Sequence, residues 1–132
     1  MSQENVETVR RLYADPRGLT AATNETVAPE AEFDFTAVYP DKPILRGVDE
    51  FRRFRDIGPF GGSPIHFEPE RFFDVDDERV LVFVRVTATG QESGVPVEIR
   101  AAHECTIRDG LLVRFKVYVD RAEALEAAGL RE

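Results

Sequence analysis

Several residue types are scarce in this chain of 132 residues, and each scarcity excludes a class of protein. A single cysteine excludes a framework of intramolecular disulfides. No apolar run approaches the roughly 20 residues that a membrane-spanning helix needs. The polar N-terminus also lacks the apolar core of a secretory signal. These absences predict a soluble cytoplasmic protein that does not use a membrane as a partner.

Positive charge is also in deficit. The 17 Lys and Arg residues against 25 Asp and Glu residues give a formal net charge of −8, whereas nucleic-acid binding needs a basic face. A small basic cluster between residues 46 and 55 is interleaved with acidic side chains, which is typical of a solvated helix face. We therefore expect no nucleic acid as a partner.

Phenylalanine is the bulky residue that this chain does have, with ten copies and no tryptophan. The length suits one domain over residues 1–132, and a chain of this size can bury about two-thirds of its unfolded surface. The chain contains no repeat and no linker-like segment. We therefore expect a core built on phenylalanine.

The first half of the chain has mostly helical spacing. Val6, Val9 and Tyr13 recur at the period of one helix face, whereas Phe33 and Phe35 alternate with acidic residues as in a strand. The predicted elements are a helix over 3–14, a short helix over 19–28, a strand over 31–38 and a helix over 48–57. A segment over 58–64, rich in Gly and Pro, is a candidate lid or pocket rim.

The second half of the chain has long stretches of two-residue alternation. The predicted strands cover 65–75, 79–89, 95–107 and 111–119, and a helix capped by Asp120 and ended by Gly129 follows them. Consecutive strands pair as an antiparallel meander, and long strands curl. The sequence therefore predicts an α+β fold, in which a curved antiparallel meander sheet carries the N-terminal helices on its concave face. Such a cone-shaped molecule would have an internal pocket.

The turn over 108–110 sets the register of the last two strands. A two-residue turn at Asp109 and Gly110 would place apolar rows opposite polar rows. A three-residue turn with Gly110 in the left-handed region keeps the rows matched. We therefore predict that His103 lies opposite Phe115, and that Ala101 lies opposite Val117.

The strand over 79–89 is apolar on both faces, with valines on one face and Leu81 and Phe83 on the other. A sheet covered by helices on one side does not need a second apolar face. A symmetric partner subunit is the simplest cover. We therefore predict a homodimer formed through the outer face of the sheet.

Three segments carry a family resemblance: residues 4–13 (ENVETVRRLY), residues 46–51 (RGVDEF), and the run from Arg108 to Asp120. With the order of elements, they make the chain similar to the SnoaL-like, polyketide cyclase-like group of the nuclear transport factor 2-like superfamily. That superfamily includes isomerases, cyclases, dehydratases and epoxide hydrolases, and also proteins with no catalysis. The resemblance therefore implies the fold and leaves the activity open.

The resemblance also assigns meaning to three positions. His103 matches a strand position where cyclase relatives carry His or Asp. Val117 matches a position where cyclase and epoxide-hydrolase relatives have an Asp. Phe35 lies near the position of the first-strand base of ketosteroid isomerase, which is an Asp. Two acid–base positions of the family are therefore expected to be lost in this chain.

His103 is the leading candidate for the site. Its apolar neighbours on the strand should keep the imidazole neutral, and a neutral imidazole can act as a base or donate a hydrogen bond to a ligand. The alternative is a buried histidine satisfied by a nearby side chain or water.

The other candidates would line the pocket around His103. Tyr13, Phe35, Tyr39, Arg71, Phe115 and Val117 are the further residues that we expect to contact a ligand. Tyr13 could instead be a core residue and Tyr39 a surface residue, while a bulge could turn Arg71 away to the rim. His103 and Cys105 lack a third metal ligand at suitable spacing. We therefore expect no metal and no cofactor.

Three functions remain open at this stage. The first is binding of a small hydrophobic or aromatic molecule without turnover. The second is a cofactor-independent isomerase, cyclase, dehydratase or hydrolase that uses His103 as general acid or base. The third is a dimerisation or protein-interaction module with no functional cavity.

Overall fold

A computed structural model gives the fold and describes residues 2–14, 26–37, 44–57, 65–89 and 94–130. Within these ranges there are three helices: α1 (Ser2–Ala14), α2 (Val48–Ile57) and α3 (Arg121–Ala127). The same ranges contain six strands: β1 (Val27–Asp34), β2 (Leu45–Arg46), β3 (Ile65–Asp74), β4 (Arg79–Thr89), β5 (Pro96–Arg108) and β6 (Leu111–Tyr118).

The six strands form one curved, unclosed sheet in the order β2-β1-β6-β5-β4-β3. Strands β3 to β6 pair consecutively and antiparallel, so the predicted meander is confirmed. Strand β1 runs parallel to β6, which makes the sheet mixed rather than wholly antiparallel. The predicted α+β fold class is confirmed.

The helix predicted over 19–28 is wrong at its end. Val27 and Ala28 lie in β1 and are buried there, because pairing with β6 places them in the core. Residues 19–25 of that predicted helix lie outside the described residues, as does the predicted lid over 58–64.

Strand β1 ends at Asp34, earlier than the predicted end at residue 38. The Asp34 carboxylate accepts hydrogen bonds from the backbone N–H and from the hydroxyl of Thr36, at 3.0 and 2.6 Å. Such a turn, closed by an aspartate side chain, takes the backbone out of the ladder. Phe35 therefore follows the strand instead of lying inside it.

The face of the sheet that contacts the first two helices is called here the inner face. It carries alternate side chains of β4 and β5: Val80, Val82, Val84, Ala101, His103 and Cys105. Val9 and Leu12 of α1 are fully buried against this face, and Phe51 of α2 packs on Phe33 of β1. The N-terminal helices thus cover the inner face, as the sequence predicts.

The opposite, outer face has an apolar cluster that α3 covers. The cluster consists of Leu81, Phe83, Ala102 and Tyr118 from the sheet and of Ala124, Leu125 and Ala128 from the C-terminal helix. Leu81 is fully buried within the chain. A partner subunit is therefore not needed to cover Leu81 and Phe83, and that part of the prediction is wrong. The chain between β6 and α3 is short, so α3 covers the second face of the sheet. The homodimer itself stays a prediction.

Strands β5 and β6 are joined by a two-residue turn and not by the predicted three-residue turn. Asp109 and Gly110 have φ angles of 52° and 77°, as a type I′ turn requires. An extra residue, Val113, then shifts the register between Thr106 and the turn. This bulge restores the match of apolar rows that the three-residue turn was meant to provide.

The corrected register changes the residues opposite His103. His103 pairs with Val117, and Cys105 pairs with Phe115. The predicted pairing of His103 with Phe115 is wrong, because the observed partner lies two residues further along β6. Val117 therefore lies directly across from His103 instead of diagonal to it.

A second bulge interrupts β3 between Pro69 and Arg71. Before the bulge Phe67 pairs with Val86 and points to the inner face, whereas after it Arg71 pairs with Phe83 on the outer face. Phe67 and Arg71 would share a face only in a strand without a bulge, so here they lie on opposite faces. Proline lacks the N–H of a continuous ladder, which explains why the irregularity follows Pro69.

Candidate functional site

His103 lies in the middle of the inner face, between Val82 of β4 and Val117 of β6. Its side chain is 2% exposed. Two phenylalanine rings face the imidazole, with centroid distances of 4.5 Å to Phe115 and 5.7 Å to Phe67. His103 is thus a polar group enclosed by apolar and aromatic side chains.

Tyr13 is the hydrogen-bonding partner of His103. Its phenol oxygen lies 2.6 Å from His103 Nδ1, and the planes of the two rings are 13° apart with centroids 5.9 Å apart. That separation suits a bond between ring edges and is too long for face-to-face stacking. The helix period places Tyr13 one turn beyond Val9, so the stripe that buries Val9 also directs the phenol toward β5.

Burial keeps the three polar groups of this site uncharged. Loss of water lowers the pKa of His103 to about 3, raises that of Tyr13 well above its usual value, and raises that of the Cys105 thiol to about 12. Desolvation is the only cause of the His103 shift. The site therefore holds a neutral imidazole, a neutral phenol and a neutral thiol near pH 7.

A cluster of phenylalanines occupies the inner face beside His103, on the side of β1 and β6. Phe33 meets Phe51 edge to face at 4.4 Å between centroids, and Phe35 lies 6.0 Å from Phe51 and 6.1 Å from Phe115. Phe35 and Phe51 are half-buried, whereas Phe33 and Phe115 are buried. The structure therefore brings Phe35 and Phe115 together as one wall next to His103.

Exposure of the inner face rises along β5 away from the turn at Asp109. Ala101 is 2% exposed, whereas Ile99 is 40% and Val97 is 37% exposed. Phe67 and Val86, which lie on the neighbouring strands at the same level, are half-buried. Apolar surface thus remains accessible at this end of the inner face, which we call the open end.

The remaining predicted site residues lie elsewhere. Arg71 is exposed on the outer face, where its guanidinium lies 4.5 Å above the Phe73 ring, because the bulge after Pro69 reverses its direction. Tyr39 lies outside the described residues. Val117 is buried opposite His103, so it can contribute only an apolar surface.

Charged groups are kept away from His103 by the alternation of the strands. Glu104, the next residue along β5, is buried on the outer face and lies 3.4 Å from Arg79 and 3.8 Å from Arg114. Asp34, the last residue of β1, is buried on that face too, 3.7 Å from Arg114. Both carboxylates therefore belong to ion pairs outside the site.

Sequence reasoning missed several residues of this site. Phe67 and Ile99 were not among the candidates, although their alternation with charged neighbours places them on one face of a strand. The pairing of Tyr13 with His103 has no local signal, because the two residues are 90 positions apart in the chain. Only the packing of α1 on the sheet brings them together.

The described residues offer no evident place for an ion. Among the parts of the chain that the structure describes, no group of three or more His, Cys, Asp and Glu side chains could hold a metal.

In the same parts, every helix is too short or too polar to cross a membrane.

A family model of the SnoaL-like domain matches residues 6–115, a range that includes both Tyr13 and His103. The chain therefore belongs to the SnoaL-like family, and the resemblance predicted from its sequence is confirmed. No functionally curated protein matches the chain.

Solved structures with the same fold cover nearly all of the chain. A candidate SnoaL-like polyketide cyclase from Jannaschia sp. CCS1 is 20% identical, with 98% of this chain and 94% of that one covered at a TM-score of 0.69. An NTF2-like protein of unknown function from Burkholderia pseudomallei K96243 is 22% identical (93% and 95% covered, TM-score 0.71). TerC, co-crystallised with polyporic acid, is 20% identical (96% and 98% covered, TM-score 0.71). At these identities the likeness shows the fold alone.

Proposed function

We propose that the protein binds a small, uncharged hydrophobic or aromatic molecule on the inner face of the sheet, beside His103. The observation that carries this proposal is the rise in exposure from the buried Ala101 to Ile99, which is 40% exposed. Accessible apolar side chains next to a small number of fixed polar groups are typical of small-molecule sites.

The partly exposed phenylalanines of the inner face suit an aromatic ligand. Phe67, Phe35 and Phe51 retain some exposure, and ring edges and faces at centroid distances of 4.5 to 7 Å attract other aromatic rings. Ile99 and Val97 add aliphatic surface on the same face. TerC, which has the same fold, has been co-crystallised with polyporic acid, and this supports testing organic small molecules first.

Binding is favoured over turnover by the state of His103. A general base works best when its pKa lies near the operating pH, whereas burial lowers the pKa of His103 to about 3. Val117 and Phe35, which are apolar, occupy the two positions at which the family resemblance implies acids in relatives. These features support a binding protein in which the catalytic acids of the family have been lost.

Two measurements test the proposal. Native mass spectrometry of the freshly purified protein, followed by denaturation, should release a co-purified organic molecule. Titration with 2-naphthol, followed by amide signals in two-dimensional NMR, should perturb residues near His103, Phe67 and Ile99 in a saturable manner. Absence of both a co-purified molecule and a saturable shift would contradict the proposal and favour the protein-interaction module.

A matched pair of variants locates the site. Ile99→Glu places a charge at the open end, whereas Arg100→Gln changes the net charge by the same amount on the opposite face of the same strand. We expect Ile99→Glu to weaken 2-naphthol binding at least tenfold and Arg100→Gln to leave it within twofold. Equal effects of the two variants would place the bound molecule elsewhere.

A second candidate function is proton transfer by His103, and the hydrogen bond between Tyr13 and His103 favours it. A phenol and an imidazole 2.6 Å apart can hold a reacting group and a proton in fixed positions. Turnover of an enone, epoxide or polyketide-like substrate that is lost in His103→Gln would establish this function. Full activity in that variant would exclude His103 as the acid or base.

A further inference from the structure

We infer that Tyr13 donates its phenol proton to His103 Nδ1 and so fixes His103 as the tautomer with hydrogen on Nε2. The polar group that the site offers a ligand is then a hydrogen-bond donor, which suits a carbonyl oxygen. The ligand class rests on the proposed function, whereas the tautomer is a property of the free protein and can be tested without a ligand.

The distance between the two residues indicates which atom donates. Bonds with an N–H donor and an oxygen acceptor are usually 2.7–3.2 Å long, while hydroxyl donors form shorter bonds. The 2.6 Å separation of the Tyr13 oxygen and His103 Nδ1 therefore fits a hydroxyl donor. Nδ1 then carries the lone pair, and a neutral imidazole with a bare Nδ1 has its hydrogen on Nε2.

The neighbouring thiol is consistent with the same arrangement. Cys105 lies close enough to Tyr13 for each to affect the pKa of the other, and three neutral groups share three protons. If Nδ1 held the hydrogen, the phenol would have to donate to sulfur, which is a weak acceptor. With the phenol donating to the imidazole, the strongest donor meets the strongest acceptor, and the thiol can donate to the phenol oxygen.

The tautomer limits the ligands that the site can hold. A phenol oxygen already bonded to His103 has its one proton engaged, so Tyr13 acts as a positioning residue rather than as a direct contact. The donor left to a ligand is Nε2–H, and no ionised side chain contributes to the His103 shift. A neutral aromatic ketone therefore fits better than the same ring system without an acceptor.

The first experiment measures the tautomer in the ligand-free protein. Long-range proton–nitrogen NMR of uniformly labelled protein near pH 7 should show His103 Nδ1 as the unprotonated nitrogen and Nε2 as the protonated one. The chain has two histidines, and His66 is exposed, so His66→Gln assigns the signals without touching the site. A protonated Nδ1 in the wild type would overturn the inference.

Tyr13→Phe tests the role of the phenol in the same spectrum. Without the donor, we expect His103 to show a mixture of tautomers, whereas His66→Gln should leave the His103 signals unchanged. An unchanged tautomer in Tyr13→Phe would show that Tyr13 does not fix it. Because the wild-type spectrum alone already tests the tautomer, poor folding of the variant would not leave the inference undecided.

The second experiment compares two probes that share a ring system, 2-acetylnaphthalene and naphthalene. We expect the ketone to bind about three- to tenfold more tightly, the range that one hydrogen bond supplies, and we expect this preference to become smaller in Tyr13→Phe, where only part of His103 carries hydrogen on Nε2. Binding of both probes with equal affinity would contradict the ligand class while leaving the proposed function intact. Binding of neither probe would contradict the proposed function but not the tautomer.

Discussion

Val117 faces His103 across β5 and β6, and this pairing determines what His103 can do. A carboxylate at this position would stabilise the charged imidazolium, as opposite charges within a few ångströms do. The valine instead completes an apolar enclosure, so burial alone sets the pKa of His103 at about 3. One side chain thus separates a neutral hydrogen-bonding histidine from an acid–base pair.

Val117→Asp should place a negative charge beside His103. We expect the pKa of His103 to rise by about one to three units, as measured by NMR titration of the imidazole signals. Val117→Asn has nearly the same shape without the charge and serves as the control. A rise of equal size in both variants would mean that hydration of the site, and not the carboxylate, is responsible.

The buried imidazole should also make stability depend on pH. Its pKa is about 3 in the folded protein and about 6.5 in an unfolded chain, so the unfolded chain binds more protons between these values. Folding stability is therefore fully present above about pH 6.5 and is lost as pH falls toward 3. We expect a contribution of about 1.4 kcal/mol for each pH unit between about pH 6 and pH 4.

Urea unfolding at several pH values measures this dependence. His103→Gln removes the titrating group while keeping a hydrogen-bonding side chain, and the carboxylates that also titrate in this range are common to both proteins. The wild type should lose stability more steeply than the variant as pH falls. If the stability of both proteins falls equally with pH, the pKa of His103 is not lowered by folding.

The sequence predicts a residue's face well only where the strand is regular. Alternation placed His103, Cys105 and Ala101 correctly on one face, since β5 pairs with β4 without interruption. It failed for Arg71, because one extra residue in β3 reverses every side chain that follows. Bulges depend on pairing with a neighbouring strand, and a single sequence shows that only weakly.

At the scale of elements, α3 gives the outer face of the sheet its apolar cover. Asp120 caps this helix by accepting hydrogen bonds from the backbone N–H groups of Ala122 and Glu123, as the sequence predicts. Arg121 then lies over the Phe83 ring at 4.7 Å and donates to the carbonyls of Ala101 and Val84. The cap was predictable from local residues, whereas its docking site on the sheet was not.

Leu125→Ala should test how much this docking contributes. Leu125 is buried in the outer cluster, so its truncation should lower the free energy of unfolding by about 2–4 kcal/mol. Glu126→Ala, at the exposed neighbouring position of the same helix, should change it by less than about 0.5 kcal/mol. Chemical denaturation of both variants checks this. Similar small effects would mean that α3 is not held against Leu81 and Phe83.

The turn between β5 and β6 requires a left-handed backbone conformation at two consecutive residues. Asp109 and Gly110 both have positive φ angles, and a side chain at Gly110 would meet nothing within 4 Å. Gly110→Ala should therefore destabilise the protein through backbone strain alone, by about 1–2 kcal/mol. Asp109→Asn, which tolerates the same region, should be nearly neutral. Thermal unfolding distinguishes the two, and a neutral Gly110→Ala would contradict the two-residue turn.

For the whole molecule, the two faces of the sheet are opposite in character. The inner face is apolar around a neutral polar pair, whereas the outer face beyond the α3 cluster is covered by ion pairs. Their members are Arg46 with Glu32, Arg79 with Asp76 and Glu104, Arg85 with Glu68 and Glu98, and Arg114 with Glu32, Asp34 and Glu104.

Fold class and the polar centre of the site were predictable because they follow from alternation. The cover of each face was not, because it depends on how distant elements pack.

These charges determine how a homodimer through the outer face would be held together. Such a dimer stays a prediction, but Leu81 and Phe83 are already buried by α3, so the surface left for a partner is charged. Contacts between charged side chains of two subunits weaken as salt screens them. We therefore expect light scattering to show a dimer at low ionic strength whose molar mass falls toward that of the monomer as salt is added. Arg85→Gln removes a positive charge from between Glu68 and Glu98 on the outer face, so two such faces should repel each other more and the dimer should dissociate at lower salt, whereas Arg10→Gln on the exposed side of α1 should have no such effect. A dimer that withstands high salt would contradict an interface on this face and would point to the apolar side chains of the open end instead.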